Sequence, residues 1–242
     1  MLELININKS IKGKDILKNV SFSINEGEIL GFIGPNGAGK TSTIRVILQL
    51  YTNYSGQVKY YNQEINQALK YQIGFMLDSD GLYDNLTLFE NLNFYADIYK
   101  IDFKSVINEN NILLSDLDLI DVMFNKISTF SRGMRQKVSF VKSILHKPKL
   151  LILDEPFTGL DPDMQVVMRD TLLQLNKRGT TILFSSHNLY EVERLCNKIA
   201  IIKDGQIKLF ESIQNLRNID ITKEFNLEKI YFDSVKIGDL NA

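Results

Sequence analysis

The chain has 242 residues, of which 44% are hydrophobic and 24% are charged, and its formal net charge is −1. This composition is typical of a globular protein with a sizeable core, and it excludes a disordered chain. The nearly balanced charge gives no electrostatic reason to expect a nucleic acid as partner.

The compartment is predicted from three further features. No apolar run approaches the roughly 20 residues that a membrane-spanning helix needs. Strand-like alternation begins at Met1, so we expect no signal peptide. The only cysteine, Cys196, has no partner for an intramolecular disulfide and is expected to be a core residue. Together these features predict a cytosolic protein.

The first part of the chain has strand-like patterns. Apolar residues over 2–7, 20–24 and 28–33 predict three strands, and Asn25-Glu26-Gly27 predicts a turn between the second and the third. The third strand is followed at once by a glycine-rich segment.

That segment, Gly34 to Thr41, fits the pattern Gly-x-x-x-x-Gly-Lys-Ser/Thr of a phosphate-binding loop. A strand before it and helical spacing over 42–50 after it make an incidental glycine-rich turn the weaker interpretation. Backbone N–H groups and a helix N-terminus suit phosphate oxygens. Lys40 is placed to reach the terminal phosphates, and the Thr41 hydroxyl is a candidate Mg²⁺ ligand. The predicted nucleotide-binding residues are Gly34, Pro35, Asn36, Gly37, Ala38, Gly39, Lys40, Thr41 and Ser42.

Beyond the loop, short apolar strands alternate with helices. Residues from about 86 to 147 have helical spacing and no strong strand signal. The alternation predicts one α/β core with a mostly parallel sheet, interrupted by a helical insertion at about 78–147. Strands are predicted at 57–61, 73–77, 150–153, 181–184, 199–202 and 207–210, and helices near 163–178 and 188–197. The pattern of 212–242 predicts a polar to amphipathic tail of undetermined fold.

Two carboxylates end the predicted strand at 150–153. In open α/β sheets, ligands bind at the carboxyl ends of the strands. Asp154 therefore suits the Mg²⁺ shell, and Glu155 is placed to activate an attacking water as general base. The alternative, that two acids merely begin a turn, is weakened by the upstream phosphate loop.

With these motifs the chain resembles, from about residue 2 to 212, the ATP-binding subunit of an ABC transporter. Phe130 to Gln136 resembles the family signature, usually Leu-Ser-Gly-Gly-Gln, and retains Ser131 and Gly133. In the family this surface faces the γ-phosphate bound at the partner subunit's phosphate loop, so ATP lies between two subunits. Ser131 is also a good N-cap by itself.

Two more segments resemble family motifs. The segment Gly159 to Pro162 resembles the D-loop. Its last two residues are also a good helix start, with Asp161 as N-cap and Pro162 as first helical residue. His187 matches the switch histidine, which in the family contacts the γ-phosphate and the catalytic water. A single histidine is more often structural, but a position after a predicted strand at the same sheet edge favours the functional interpretation.

Two positions depart from the family. Ile11 stands where an aromatic residue usually stacks on adenine, so we expect nucleotide binding weaker by about 1 kcal/mol. Asp78 stands where the Q-loop glutamine is usual, and a further carboxylate there predicts altered Mg²⁺ dependence or slower hydrolysis. Asp80 lies close enough in the sequence for the alignment to slip.

The resemblance implies an α/β P-loop NTPase fold with an antiparallel β edge and an inserted helical subdomain at about 78–147, followed by a short tail at 213–242. It implies ATP and Mg²⁺ as cofactors, with Glu155 and His187 as catalytic residues. It also implies a head-to-tail dimer with itself or a similar ATPase, a separate integral membrane permease, and a peripheral position on the cytoplasmic face of the membrane.

Arg132 and Met134 in the signature are common in ATPases of bacterial drug, antibiotic-peptide and lipid-linked-sugar exporters, so the resemblance implies export of such a compound. Two alternatives remain: a soluble ABC ATPase that acts on ribosomes or DNA, and a weakly active ATP-binding structural partner.

The predicted helical insertion is rich in aromatic residues. We expect most of them to form the helix core, although an exposed apolar patch would indicate a docking site for the permease. The residues concerned are Tyr83, Phe89, Phe94, Tyr95, Tyr99 and Phe103.

Overall fold

The structure, a computed structural model, describes residues 1–218 and 225–236. Its strands are β1 (Leu2–Ile11), β2 (Lys14–Ile24), β3 (Ile29–Ile33), β4 (Ser55–Tyr60), β5 (Gln63–Glu64), β6 (Ile73–Met76), β7 (Leu150–Asp154), β8 (Thr181–Ser186), β9 (Lys198–Lys203) and β10 (Gln206–Ser212). Its α-helices are α1 (Lys40–Ile47), α2 (Gln67–Lys70), α3 (Leu88–Tyr99), α4 (Phe103–Glu109), α5 (Asn111–Asp116), α6 (Arg132–Ile144), α7 (Pro162–Lys177), α8 (Leu189–Leu195), α9 (Ile213–Asn218) and α10 (Leu227–Lys236). A 3₁₀ turn covers Ile127–Thr129.

The described residues form two compact units. The first contains Met1–Lys70 and the described residues from Thr181 onward, and the second contains Tyr71–Thr180.

The first unit begins with an antiparallel sheet in the order β2-β1-β4-β5. Strands β1 and β2 are joined by Lys12 and Gly13, which both have positive φ angles, at 49° and 78°. Two successive residues of this kind form the hairpin turn whose twist matches that of paired strands. Leu2 and Leu4 alternate along the buried face of β1, and a shift of the strand register after Leu4 brings Ile7 to the interior as well. This sheet confirms the predicted antiparallel edge.

The other strands of the first unit surround β3, which pairs in parallel with β8 and with β9, while β10 is antiparallel to β9. All five residues of β3 are buried, as expected for a strand of a parallel sheet. Helix α8 packs on β3 at Gly31, where a Cβ atom would lie 2.7 Å from Val192 Cγ1 and 2.8 Å from Cys196 Sγ. Cys196 is confirmed as a core residue, and burial raises the pKa of its thiol.

The second unit combines the parallel pair β6 and β7 with the helices between 88 and 177. Helix α6 lies so close to β6 that a Cβ at Gly74 would fall 2.0 Å from the main-chain oxygen of Ser143. Helices α3 to α6 confirm the predicted helical character of this region. Helix α7 confirms the predicted helix at 163–178, and α8 of the first unit confirms the one at 188–197.

The expectation that most aromatic residues of the insertion form its core is wrong. The residues of α3 without exposed surface are Leu88, Asn91, Leu92 and Ala96, none of which is aromatic. The aromatic residues alternate with them on the outer positions of the helix and in neighbouring loops, and pack against one another in pairs. The exposed ones in this region are Tyr83, Phe89, Phe94 and Phe124.

The tail of undetermined fold contains two helices, α9 and α10. The parts of this predicted tail at 219–224 and 237–242 lie outside the described residues. No helix within the described ranges is both long enough and apolar enough to cross a membrane.

Candidate nucleotide site

The phosphate loop joins the buried strand β3 to helix α1, as the sequence predicts. Two of its glycines have positive φ angles, 80° at Gly37 and 114° at Gly39, which serves as the N-cap of α1. A third, Gly34, has no room for a side chain, because a Cβ would lie 2.3 Å from the main-chain oxygen of Ile202. The loop therefore has a backbone shape and a packing that larger residues would not adopt.

The first turn of α1 carries the polar groups of the predicted motif. Lys40 is buried, and its ammonium donates to the main-chain oxygens of Gly34 at 2.6 Å and Pro35 at 3.4 Å. The ammonium thus lies against the loop that is predicted to surround the phosphates. The side chains of Thr41 and Ser42 are half-buried at the start of the helix, where N–H groups without intrahelical partners favour anions.

His187 follows β8 directly, and its side chain is exposed. The last residues of β3 and β8, Ile33 and Ser186, are paired in parallel register. Gly34 and His187 therefore leave the same edge of the first unit's parallel strands, as the sequence predicts.

Ile11 is the last residue of β1, is half-buried and pairs with Lys14 across the hairpin. It lies at the end of the antiparallel sheet, and its role toward adenine stays a prediction.

The predicted acidic residues are in the second unit. Asp154 ends β7 and is 5% exposed, and Glu155 follows it in the left-handed region with φ 50°. Because Met76 of β6 pairs with Leu153 of β7, the two strands end side by side. Asp78, two residues beyond β6, is exposed near this same edge. The structure thus brings the three predicted carboxylates to the ends of neighbouring strands.

The backbone at Glu155 is held by Gln136, a residue that we did not predict. Its side-chain amide donates to the main-chain oxygens of Glu155 at 3.2 Å and Pro156 at 3.1 Å. A left-handed conformation at a residue other than glycine is costly and persists only where the surroundings hold it. Helix α6, which starts at the signature, therefore helps to fix the conformation of the proposed general base.

The signature serine is confirmed as an N-cap. Ser131 Oγ accepts the N–H of Met134 at 3.3 Å and is exposed at the start of α6. Gly133 in the first turn lies close to the segment before α7, because a Cβ there would fall 3.0 Å from the oxygen of Gly159. Asp161 is likewise confirmed as the N-cap of α7, with Pro162 as the first helical residue.

A cluster of charges that the sequence analysis did not find joins α6 to the loop after β6. Arg135 donates to Asp80 and to Asp84, at 2.6 Å in each case, and the main-chain oxygen of Asp80 accepts the ammonium of Lys142. Burial lowers the pKa of Lys142 to about 8. A spacing of seven residues places Arg135 and Lys142 on one helix face. This spacing is the feature of the sequence that could have predicted the cluster. Because Asp80 is held by Arg135, Asp78 remains the candidate at the Q-loop position.

The comparison with family models decides the identity. The model described as ABC transporter matches residues 17–158, which include the phosphate loop, the signature and the acidic strand end. The chain belongs to the ABC transporter family.

Relatives of known sequence support the same assignment. An uncharacterized ABC transporter ATP-binding protein, YhcH of Bacillus subtilis (strain 168), is 40% identical over 225 residues, which cover 91% of this chain and 72% of the relative. The linearmycin resistance ATP-binding protein LnrL of the same organism is 37% identical over 210 residues, which cover 86% of this chain and 68% of the relative.

A solved structure described as the ATP-binding subunit of an ABC transporter has the same fold. Its TM-score is 0.89 at 28% identity, and the match covers 97% of this chain and 99% of that one. The chain is therefore an ABC ATP-binding subunit and an ATP hydrolase, with the α/β fold predicted from its sequence. The roles of its individual site residues stay predictions.

Proposed function

We propose that this ABC ATPase powers the export of a drug, an antimicrobial or toxic peptide, or a lipid-linked compound through a separate membrane permease. The observation that most directly supports export is the sequence similarity to LnrL, an ATP-binding protein named for linearmycin resistance, over 86% of this chain. Arg132 and Met134 in the signature are consistent with it.

Exposed aromatic residues of the second unit support a membrane partner. Tyr83 and Phe94 pack edge to face with 4.8 Å between ring centres, and Phe89 stacks on Phe124 at 5.6 Å. All four are more than a third exposed, with Phe124 at 76%. Grouped exposed aromatic residues favour protein contact, and the permease is the partner that we assign to them. Binding to the permease would place the ATPase on the cytoplasmic face of the membrane.

The signature helix supports a dimer in which each subunit completes the other's site. Ser131 is exposed at the N-terminus of the 13-residue helix α6, and such an end favours a phosphate. We assign this end, with Gly133 and Asp161, to ATP bound at the phosphate loop of a second ATPase in a head-to-tail dimer, made with itself or with a similar subunit.

The residues present fit a nucleotide with Mg²⁺. Mg²⁺ is usually held by one or two protein oxygens together with substrate phosphates. The Thr41 hydroxyl at the start of α1 and the Asp154 carboxylate at the end of β7 are oxygens of this kind. Thr41 and Asp154 are the proposed ligands, and bound Mg²⁺ would neutralise phosphate charge. Glu155 would take the proton of the attacking water, and His187 would orient that water against the γ-phosphate. Asp78 is a further proposed oxygen near the metal.

A second candidate function is an ATP-binding partner with little turnover of its own. Ile11 and Asp78, which depart from the family pattern, favour it. In that case wild-type protein would bind ATP and close a dimer, while hydrolysis would depend on a similar but different subunit.

Deletion of the gene tests the export proposal in the source organism. We expect the strain to become more sensitive to membrane-active antibiotics and to retain more of the compound inside the cell. Wild-type protein should restore resistance, whereas Lys40→Ala, which loses the phosphate-binding ammonium, should not. Reduced uptake of a compound by the deletion strain would instead indicate an importer.

A further inference from the structure

Helix α10 is connected to the phosphate loop through the hairpin of β9 and β10. The two-residue turn of this hairpin, Asp204-Gly205, has φ angles of 51° and 76°, as in the tight turns that join paired strands. The N–H of Gly205 donates to the oxygen of Ala38 at 3.0 Å, and its oxygen accepts the N–H of Lys18 at 2.8 Å. The turn is thus hydrogen-bonded directly to the phosphate loop.

Ile202, three residues before Gly205, lies against the same loop. A Cβ at Gly34 would fall 2.3 Å from its main-chain oxygen and 2.9 Å from its Cγ2. A Cβ at Gly39 would fall 3.3 Å from its Cδ1. Because Ile202 has no exposed surface, it has little room to move, and a shift of β9 would displace both loop glycines.

Lys203 lies in the sequence between Ile202 and Gly205, and its side chain contacts the tail. Its ammonium donates to the main-chain oxygen of Val235 at 2.9 Å. Val235 lies near the C-terminal end of α10 (Leu227–Lys236), and carbonyl groups toward this end of a helix carry partial negative charge. A lysine placed there both satisfies a carbonyl and neutralises that charge.

The other end of α10 is fixed by packing. The helix lies against α8, β9 and β10, and Leu227 at its first position is 2% exposed. The helix is therefore held at its start by a buried side chain and at its end by a residue of β9 that is covalently next to Ile202.

From these contacts we propose that α10, acting through Lys203, positions the phosphate loop for nucleotide. Lys203 is a positioning residue, because its ammonium donates to the main-chain oxygen of Val235 and its effect on nucleotide would pass through the hairpin. The link holds the hairpin, and the hairpin holds the loop in the backbone shape that binds phosphate, which reduces the cost of ordering it when nucleotide arrives. The proposal rests on the assignment of Gly34 to Ser42 as the ATP site.

The test is a double-mutant cycle on the full-length protein, with binding of mant-ADP as readout because the chain has no tryptophan. The variants are Lys203→Met, a chain that ends at Asn226, and the two changes combined. We expect each single change to raise the dissociation constant about tenfold and to leave kcat at saturating ATP nearly unchanged. The combined variant should bind no more weakly than the truncated chain, because Lys203 acts through α10.

Three controls complete the cycle. Lys203→Arg should bind like wild type, since a guanidinium also donates to the Val235 carbonyl. Lys229→Met removes an exposed lysine within α10 and should change nothing. Lys40→Ala should lose nucleotide, and if it does not, the ATP site is misassigned.

One result would overturn the role of Lys203 and leave the ATP site as assigned. In it, Lys203→Met and the truncated chain bind mant-ADP with the wild-type dissociation constant and only their melting temperatures fall, while Lys40→Ala loses binding. Effects of the two changes that simply add would also overturn it, because Lys203 would then act without α10.

Discussion

The guanidinium of Arg135 donates from Nε to a carboxylate oxygen of Asp80 across 2.6 Å. Hydrogen bonds to Asp80 and then to Asp84 raise the pKa of Arg135. Asp80 is two residues from the Q-loop candidate Asp78, and Arg135 is four residues from the signature serine Ser131. The pair therefore fixes the loop after β6 to the helix that carries the signature.

The two acidic partners of Arg135 should differ in their effect on stability. Asp80 is 24% exposed and Asp84 is 61% exposed, and solvent screening makes the outer pair weak. We expect Asp80→Asn to lower the free energy of unfolding by about 1–2 kcal/mol and Asp84→Asn by less than about 0.5 kcal/mol. Urea denaturation measures both values. Equal losses in the two variants would show that Arg135 does not prefer Asp80.

Two glycines of the phosphate loop should respond differently to alanine. At Gly34 a Cβ would meet the backbone of Ile202 at 2.3 Å, whereas at Gly37 it would meet no atom within 4 Å and only the φ angle of 80° is unfavourable. We expect Gly37→Ala to lower the free energy of unfolding by about 1 kcal/mol and Gly34→Ala by about 3 kcal/mol, with nucleotide binding lost in the latter. Thermal unfolding with and without mant-ADP checks this, and a Gly34→Ala variant as stable as Gly37→Ala would contradict it.

Features set by local chemistry were predictable from the sequence, and features set by distant partners were not. The N-caps Ser131 and Asp161 and the strand before the phosphate loop follow from residue type and spacing over a few positions. The Arg135–Asp80 pair joins residues 55 positions apart, and no local pattern selects one partner among many acids. Phe89 was expected with the helix core and Phe124 was not considered, yet both are exposed. Periodicity shows that a helix has an apolar face, but it does not show how much of that face is covered by other elements.

Replacement of Ile11 tests the missing aromatic contact to adenine. Ile11→Tyr supplies a π-face at the half-buried end of β1. We expect this variant to bind unlabelled ATP about fivefold more tightly than the wild type does, which corresponds to a stacking energy of about 1 kcal/mol. Isothermal titration calorimetry on the wild type, Ile11→Tyr and the aliphatic control Ile11→Leu gives the three affinities. If tyrosine binds no more tightly than leucine, Ile11 is not at the adenine position.

His146 should make the protein sensitive to acid. Its ring stacks on Tyr99 with 3.7 Å between ring centres, and burial lowers its pKa to about 4. The unfolded chain binds this proton near pH 6.5, so stability falls as the pH drops from about 6.5 to 4, by about 3 kcal/mol over the whole interval. Below pH 4 the folded state is protonated as well, and the contribution of His146 no longer changes with pH.

The matched variant is His146→Phe, which keeps an aromatic ring against Tyr99 without a titrating group. Its unfolding free energy should fall less steeply than that of the wild type between pH 6.5 and 4, and the two curves should run parallel at higher pH. Parallel curves over the whole range would show that His146 titrates alike in both states.

The steady-state ATPase rate of Glu155→Gln against the wild type tests most directly whether this chain hydrolyses ATP with Glu155 as general base. Glutamine preserves the shape of the side chain, and the hydrogen bond from Gln136 goes to the main-chain oxygen of this residue. We predict that Glu155→Gln binds ATP with wild-type affinity and turns it over at least about a hundredfold more slowly. Wild-type turnover no faster than that of Glu155→Gln would show that Glu155 is not the general base, and it would leave the chain as an ATP-binding partner only.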